Sequence, residues 1–176
     1  TDTIYSECCG LPIKITNGKD VTNFEYNAKG LLTKKTSTKG EYVELSYHQE
    51  FNKITKVANS NGWTEFSYDK SANLNKAWSS EGKSVVLFYD LKGRITKMLD
   101  KEKQGGSRTL TFKYNSLGKP VEISMEGMGS INVAYDNYGE IKKVESKEGH
   151  KMAIQVTSAF QSLLSIVKPA GVNLNM

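Results

Sequence analysis

Apolar and polar residues alternate with a period of two through most of the chain, in short runs broken by glycine. The clearest runs end on tyrosine: Val43, Leu45, Tyr47; Val85, Leu87, Tyr89; Leu110, Phe112, Tyr114; and Ile131, Val133, Tyr135. Alternation of this kind places every second side chain on one face of a strand, so it predicts sheet with one buried and one solvated face. After each tyrosine a shorter run carries Ile15, Val57, Met98, Ile123 or Val144 on what parity assigns to the same inner face. Two strands per unit joined by tight turns predict an antiparallel meander.

The tyrosines are themselves periodic. Tyr26, Tyr47, Tyr68, Tyr89, Tyr114 and Tyr135 recur at spacings of 21, 21, 21, 25 and 21, and each opens a similar string. The strings are YNAKGLLTK from Tyr26, YDKSANLNK from Tyr68, YDLKGRITK from Tyr89, YNSLGKPVE from Tyr114 and YDNYGEIKK from Tyr135. Tyr47 opens a version with one extra residue, YHQEFNKITK, and Tyr5 a degenerate first copy, YSECCGLPIK. A second glycine precedes each following unit: Gly18, Gly40, Gly62, Gly82, Gly106, Gly129 and Gly149. Asn17-Gly18 and Asn61-Gly62 are strong hairpin signals, because both residue types tolerate positive φ. One hairpin is marginal in water, so units of this size must lean on their neighbours. The tyrosine ring is expected over the core, with its hydroxyl reaching the Asp or Asn of a turn.

The string Tyr-Asp/Asn-x-x-Gly-x-Leu/Ile-Thr-Lys, then glycine, then alternation to the next tyrosine, resembles the YD-repeat (Rhs) family. The resemblance covers roughly residues 5 to 156, and Tyr89 to Lys97 is its most regular copy. It implies a β-strip that coils, in large members, into a hollow shell around a toxin. Those members end in a self-cleaving segment with an Asp-Pro signature. Pro12, Pro120 and Pro169 each follow another residue type, so the resemblance does not extend to that segment.

The expected fold is therefore all-β: an array of about seven hairpins over residues 1–156, followed by a capping helix and tail over 157–176. Val156 takes the tyrosine position where the array stops. Ser158 and Gln161 form a capping-box pair, and Phe160, Leu163, Leu164 and Val167 have helical spacing. Pro169 and Gly171 end a helix expected near 158–168.

Composition narrows the function classes. No apolar run is long enough to span a bilayer. The net charge is +5, and only Arg94 and Arg108 among the 24 basic residues are arginine. Arginine is the usual reader of guanine edges, so a lysine-rich, arginine-poor chain argues against sequence-specific nucleic-acid recognition. The chain opens at Thr1 without an initiator methionine or leader, which fits a mature exported protein, whether periplasmic, cell-surface or extracellular. Cys8 and Cys9 are the two cysteines. They can remain free, bond to each other or link two chains, and alone they cannot build a zinc site.

Catalytic patterns are absent from the sequence: there is no HExxH, no spaced Cys/His set, no phosphate loop and no nucleophile elbow. The expectation is a non-enzyme without cofactor or metal. One column stands out. Four residues past the first glycine of each unit, or its equivalent, lie Lys14, Lys34, Lys56, Lys76, Lys97, Glu122 and Lys143, on the outer face by parity. This column is either a solvated, aggregation-resistant face or a basic stripe for an extended polyanion. Trp78, Val86, Phe88 and Leu99 interrupt the same face, where equivalent positions hold Thr36, Ala58, Ser46, Ser67 and Lys113. Either the C-terminal helix covers them with Phe160, Leu163 and Leu164, or Trp78 and Phe88 form an aromatic platform for a ligand. The functional expectation is an exported scaffold that binds a cell-surface glycan, an anionic polymer or a protein partner. The alternative is a structural piece of a larger toxin-encapsulating shell of the Rhs type.

Overall fold

The computed structural model describes residues 1–167. Its elements in chain order are β1 (Asp2–Tyr5), β2 (Pro12–Asn17), β3 (Asp20–Tyr26), β4 (Leu32–Ser37), β5 (Tyr42–Tyr47), β6 (Ile54–Asn59) and β7 (Gly62–Tyr68). They continue as β8 (Leu74–Ser79), β9 (Ser84–Tyr89), β10 (Ile95–Lys101), β11 (Ser107–Tyr114), β12 (Pro120–Met125), β13 (Gly129–Tyr135), β14 (Ile141–Ser146) and α1 (His150–Val167). The fourteen strands are ordered in the sheet as they are in the chain, an antiparallel meander as the periodicity predicts. The described residues divide into two compact units, residues 1–66 and residues 67–167.

Alternation translates into burial within each unit. In the first, Leu45, Val57, Thr64 and Phe66 are buried, with Leu45 opposite Val57 and Val57 opposite Thr64. In the second, Ala77, Val85, Leu87, Met98, Leu110 and Met125 are buried. Ala77 faces Val85, Leu87 faces Met98, Met98 faces Leu110, and Leu110 faces Met125 across consecutive ladders. Burying each of the larger side chains stabilises by about 1.5–3 kcal/mol. The inner face is thus one continuous row in each unit.

Each repeat string has a mechanical reading. The Asp or Asn after the tyrosine closes the turn with one side-chain oxygen: Asp90 Oδ1 accepts the backbone N–H groups of Lys92 (2.9 Å) and Arg94 (3.0 Å). Asn27, Asp69, Asn115 and Asp136 accept from the corresponding two N–H groups of their own turns. Where His48 replaces the acid or amide, its Nδ1 faces the N–H groups of Glu50 and Phe51 at 3.3 and 3.4 Å, and Phe51 stacks on the ring. The glycine that follows takes positive φ, as at Gly93 (φ 74). Asn52 (φ 54) and Ala72 (φ 61) occupy that position in two units, and alanine there carries the left-handed strain that glycine avoids. In the longer fifth linker the left-handed residue is Gly105 (φ 88) rather than the expected Gly106.

A β-bulge follows the turn. Tyr89 pairs with Ile95 while Phe88 pairs with Lys97, so Thr96 is left over. The same skip occurs beside Tyr26, Tyr47, Tyr114 and Tyr135. The extra residue keeps the tyrosine on the inner face and the lysine on the outer. Threonine suits the bulge because its hydroxyl donates back across it, from Thr33 to the Glu25 carbonyl and from Thr96 to the Phe88 carbonyl.

The tyrosine hydroxyl does not meet the Asp or Asn. It donates to a backbone carbonyl of the preceding unit: Tyr26 to Pro12 (2.8 Å), Tyr47 to Leu32 (2.6 Å), Tyr89 to Leu74 (2.7 Å), Tyr114 to Ile95 (2.7 Å) and Tyr135 to Pro120 (2.8 Å). The reason lies in the register. The ladder between β8 and β9 ends at Lys76 opposite Val86, two residues short of Leu74. The ladders between β2 and β3, β4 and β5, β10 and β11, and β12 and β13 stop equally short. Each carbonyl beyond the last pair receives a phenol instead. Burial pushes the phenols of Tyr47 and Tyr89 above their usual value, so the donors keep their protons.

The helix differs from expectation at its start. It begins at His150, so Ser158 is an interior residue and not a cap. Met152, Val156, Ala159 and Ile166 are buried while Ile154 is exposed. The sequence Met152, Ile154, Val156 keeps the strand alternation, but helical spacing of the buried residues prevails once no tyrosine is there to hold another hairpin. Pro169 and Gly171 lie outside the described residues. The helix packs against β8, β9, β10 and β13, with Phe160 edge-on to Phe112 of the inner face at 6.0 Å.

The turn chemistry is open to test by substitution. Tyr89→Phe should lower the unfolding free energy by about 1 kcal/mol in denaturant titration, because it orphans the Leu74 carbonyl. Tyr138→Phe, at an exposed turn tip, should leave it unchanged, and Ala72→Gly should raise it by about 1 kcal/mol. Asp90 is the acid-sensitive member of its turn. The Arg94 backbone N–H, then its guanidinium, hold the carboxyl below the usual aspartate range. A depressed folded-state pKa contributes stability above the unfolded value of about 3.9, lost as pH falls through the folded value. Asp90→Asn keeps the Oδ1 acceptor and should remove this part of the acid dependence of Tm.

Candidate functional site

The outer-face lysines are not equivalent once register sets their neighbours. In the first unit Lys14 faces Asn23. Lys34 lies between Glu25 and Glu44 and pairs with Glu44 at 2.9 Å. Lys56 faces Glu65, pairs with it at 2.8 Å and stands 5.2 Å from the Trp63 ring centre. In the second unit Lys143 pairs with Glu145 and Lys113 with Glu122. These bridges are largely exposed, where a pair contributes about 0–1 kcal/mol. Their consequence is local charge neutrality.

Within the second unit Lys76 and Lys97 stand apart. Neither has a carboxylate partner among the described residues. Lys76 faces Val86, and its Nζ lies 4.7 Å from the Trp78 ring centre. Lys97 faces Phe88, with Nζ 5.8 Å from that ring centre. Leu99 faces Val86, so the four apolar outer residues of the middle strands form one cluster, as parity predicts. Phe88 is 45% exposed. Beside it opens a cleft of about 710 Å³ that sets Ser67, Ser71, Asn73, Asn75 and Lys76 against Val86, Leu87, Phe88, Tyr89 and Leu91, with Asp69 and Asp90 at its turns.

The helix does not cover this cluster. It lies on the opposite, inner face, where a buried polar group fixes it. Asp100 is 1% exposed on β10 and is met by Arg108 of β11, whose Nε donates to Oδ2 at 2.9 Å. Arg108 also donates to Ser158 Oγ (2.9 Å) and Glu102 (2.6 Å), and Ser162 Oγ donates to Asp100 Oδ1 (2.7 Å). A buried carboxylate demands such partners, and the helix supplies one of them. The sequence pattern hid this group, because Asp100 looks like any of the scattered acids. The signal available was Arg108, one of two arginines, with a serine pair one helical turn apart.

At the other end of the chain Cys8 and Cys9 are joined to each other in a vicinal disulfide in the turn after β1. Among the described residues no three His, Cys, Asp or Glu side chains group as a metal site would require. No described helix is long and apolar enough to cross a membrane.

The repeat geometry has a counterpart among known proteins. The family model described as the Teneurin YD-shell matches residues 48–174, well over half of the chain. The chain belongs to the Teneurin YD-shell family. No individually curated protein matches it. In solved structures, a chain of the Photorhabdus luminescens Tc holotoxin pore is similar, with 12% identity and a TM-score of 0.53, over 85% of this chain. A chain of the TcdB2–TccC3–Cdc42 complex is similar over 74% of this chain, with 12% identity and a TM-score of 0.47. At that identity the likeness to the pore chain is one of fold. This YD-shell chain spans 10% of the pore chain's length and 9% of the other.

The inner cluster yields a prediction. Asp100→Ala leaves Arg108 buried without its main partner, so it should destabilise by about 3 kcal/mol. The loss should appear first as faster amide exchange over 150–167 in mass-spectrometric hydrogen exchange. Undisturbed exchange there would show that the helix is held by apolar contacts alone.

Proposed function

We propose that this chain is a structural, non-enzymatic segment of a larger exported YD-type shell, and that its function is to build wall. Membership of the YD-shell family over residues 48–174 carries the reading. The geometry supports it: the side chains that define each repeat are committed to holding a turn closed or to bonding the preceding unit. The Asp or Asn oxygen caps the turn, the tyrosine hydroxyl extends the ladder, and the threonine closes the bulge. Such a unit is a building element whose natural partner is another unit of the same kind. The similar pore chain belongs to a toxin assembly and is about ten times longer than the matched region, which is the scale on which a strip of this kind could enclose a volume.

These features favour the shell alternative over a free-standing surface module. Electron cryo-microscopy of the native protein that carries this sequence tests it. The expected map shows these hairpins continuous with further tyrosine-spaced hairpins in a wall. A discrete module with both edge strands in solvent would overturn the proposal.

A further inference from the structure

Lys76, Lys97 and Phe88 form a surface that a purely structural wall does not require. Within the second unit the outer-face lysines Lys113 and Lys143 are neutralised by glutamates, Glu122 in register across the ladder and Glu145 two residues along the same strand. Lys76 and Lys97 have no such carboxylate among the described residues, and they bracket the apolar cluster on that face. They sit on β8 and β10, two strand spacings or roughly 10 Å apart. Between them lies the half-open ring of Phe88. Next to the ring, hydroxyl and amide groups of Ser67, Ser71, Asn73 and Asn75 line the cleft. The two carboxylates there are engaged within their turns: Asp90 holds Arg94 at 2.6 Å, and Asp69 accepts the Asn73 side-chain amide at 3.1 Å.

We propose that this cleft, together with Lys97 beside it across from Phe88, binds an acidic polysaccharide of the uronate class. Lys76 and Lys97 take carboxylates on alternate sugars, Phe88 takes the apolar face of the ring between them, and the Ser and Asn groups take hydroxyls. Charge selects the ligand's sign, because Lys76 and Lys97 have no carboxylate partner among the described residues and are available for charge-assisted hydrogen bonds, while Asp90 of the same cleft is held by Arg94. The cleft suits sugar over acidic peptide, because it sets the open Phe88 ring beside a row of small polar side chains, Ser67, Ser71, Asn73 and Asn75, that can meet successive hydroxyls. Both lysines rest over aromatic rings, which hold them close to the binding surface. Binding draws Lys76 from the Trp78 ring and should change that residue's fluorescence.

The test titrates the whole chain at low salt with tetragalacturonate, its carboxyl-reduced counterpart and tetraglutamate, followed by Trp fluorescence and calorimetry. Tetragalacturonate should bind and weaken with salt, while the other two should bind at least about tenfold more weakly. Combining Lys76→Gln with Lys97→Gln should cost about tenfold or more in affinity without moving Tm, and Phe88→Ala should weaken binding as well. Lys34→Gln and Lys143→Gln, which remove cations already paired, should change nothing. Equal binding of tetraglutamate or of the reduced sugar would overturn the proposal. So would retention of binding in the double lysine variant, an equal loss from Lys34→Gln, or no binding at low salt.

Discussion

The hydrogen bond from the repeat tyrosine to a carbonyl of the preceding unit, made by Tyr26, Tyr47, Tyr89, Tyr114 and Tyr135, is the interaction on which the fold depends. Two-stranded hairpins are marginal alone, and the ladders that join one hairpin to the next run to three pairs between β8 and β9 and to five between β10 and β11. Beyond those pairs the strands separate toward the turn, and a backbone carbonyl would be left to solvent or to burial without a donor. The phenol reaches it from the next unit, with its ring lying over the core on the way. One side chain therefore supplies apolar area and a directional bond at the point where the sheet would otherwise fray. Leucine at that position would give the area alone, and serine would not reach.

The bulge is the second half of the device. Without the skipped residue, the lysine that ends each repeat string would fall on the tyrosine's own face, and a charge would enter the core at every repeat. The skip changes parity once per hairpin and sends the lysines outward. There register decides what each one faces: a glutamate on the neighbouring strand at Lys34 and Lys56, the Phe88 ring at Lys97, and Val86 at Lys76, which leans on Trp78 of its own strand. The electrostatic character of the outer face is thus set by strand pairing more than by the number of lysines. A count of basic residues along the chain treats all of them as one stripe, and the structure sorts them into paired and unpaired.

Much of the fold is legible in the amino-acid sequence. Tyrosine spacing, alternation and turn glycines locate the hairpins, and the inner residues Val57, Met98 and Leu110 are buried where parity places them. The hydroxyl's true partner is not legible, because it depends on where each inter-repeat ladder stops, a property of two strands together. Nor is the start of the helix. Met152 and Val156 satisfy both a period of two and a helical spacing, and Ile154 favours the strand reading until burial shows it outside. The placement of α1 follows from a buried carboxylate that local pattern cannot distinguish from a surface one. For the outer site, parity brings Lys76, Trp78, Phe88 and Lys97 onto one face. That these two lysines lack glutamate partners emerges only from register.

Both arginines of the chain stand where lysine would not serve. Arg94 donates Nε and Nη2 to Asp90 in its own turn, and its guanidinium carbon lies 4.6 Å from the Tyr114 ring centre in the next unit. A single group so links the turn-closing acid of one repeat to the ladder tyrosine of the following one. Lys119, one unit later, reproduces the ring contact at 5.2 Å but not the fork onto the turn residue, which there is an asparagine. Arg108 uses the same planar fork inside the protein, spreading its donors over Asp100, Glu102 and Ser158. A lysine in its place offers one compact charge with a larger desolvation cost and no geometry for three acceptors. At both arginine positions one planar cation holds several partners at fixed angles.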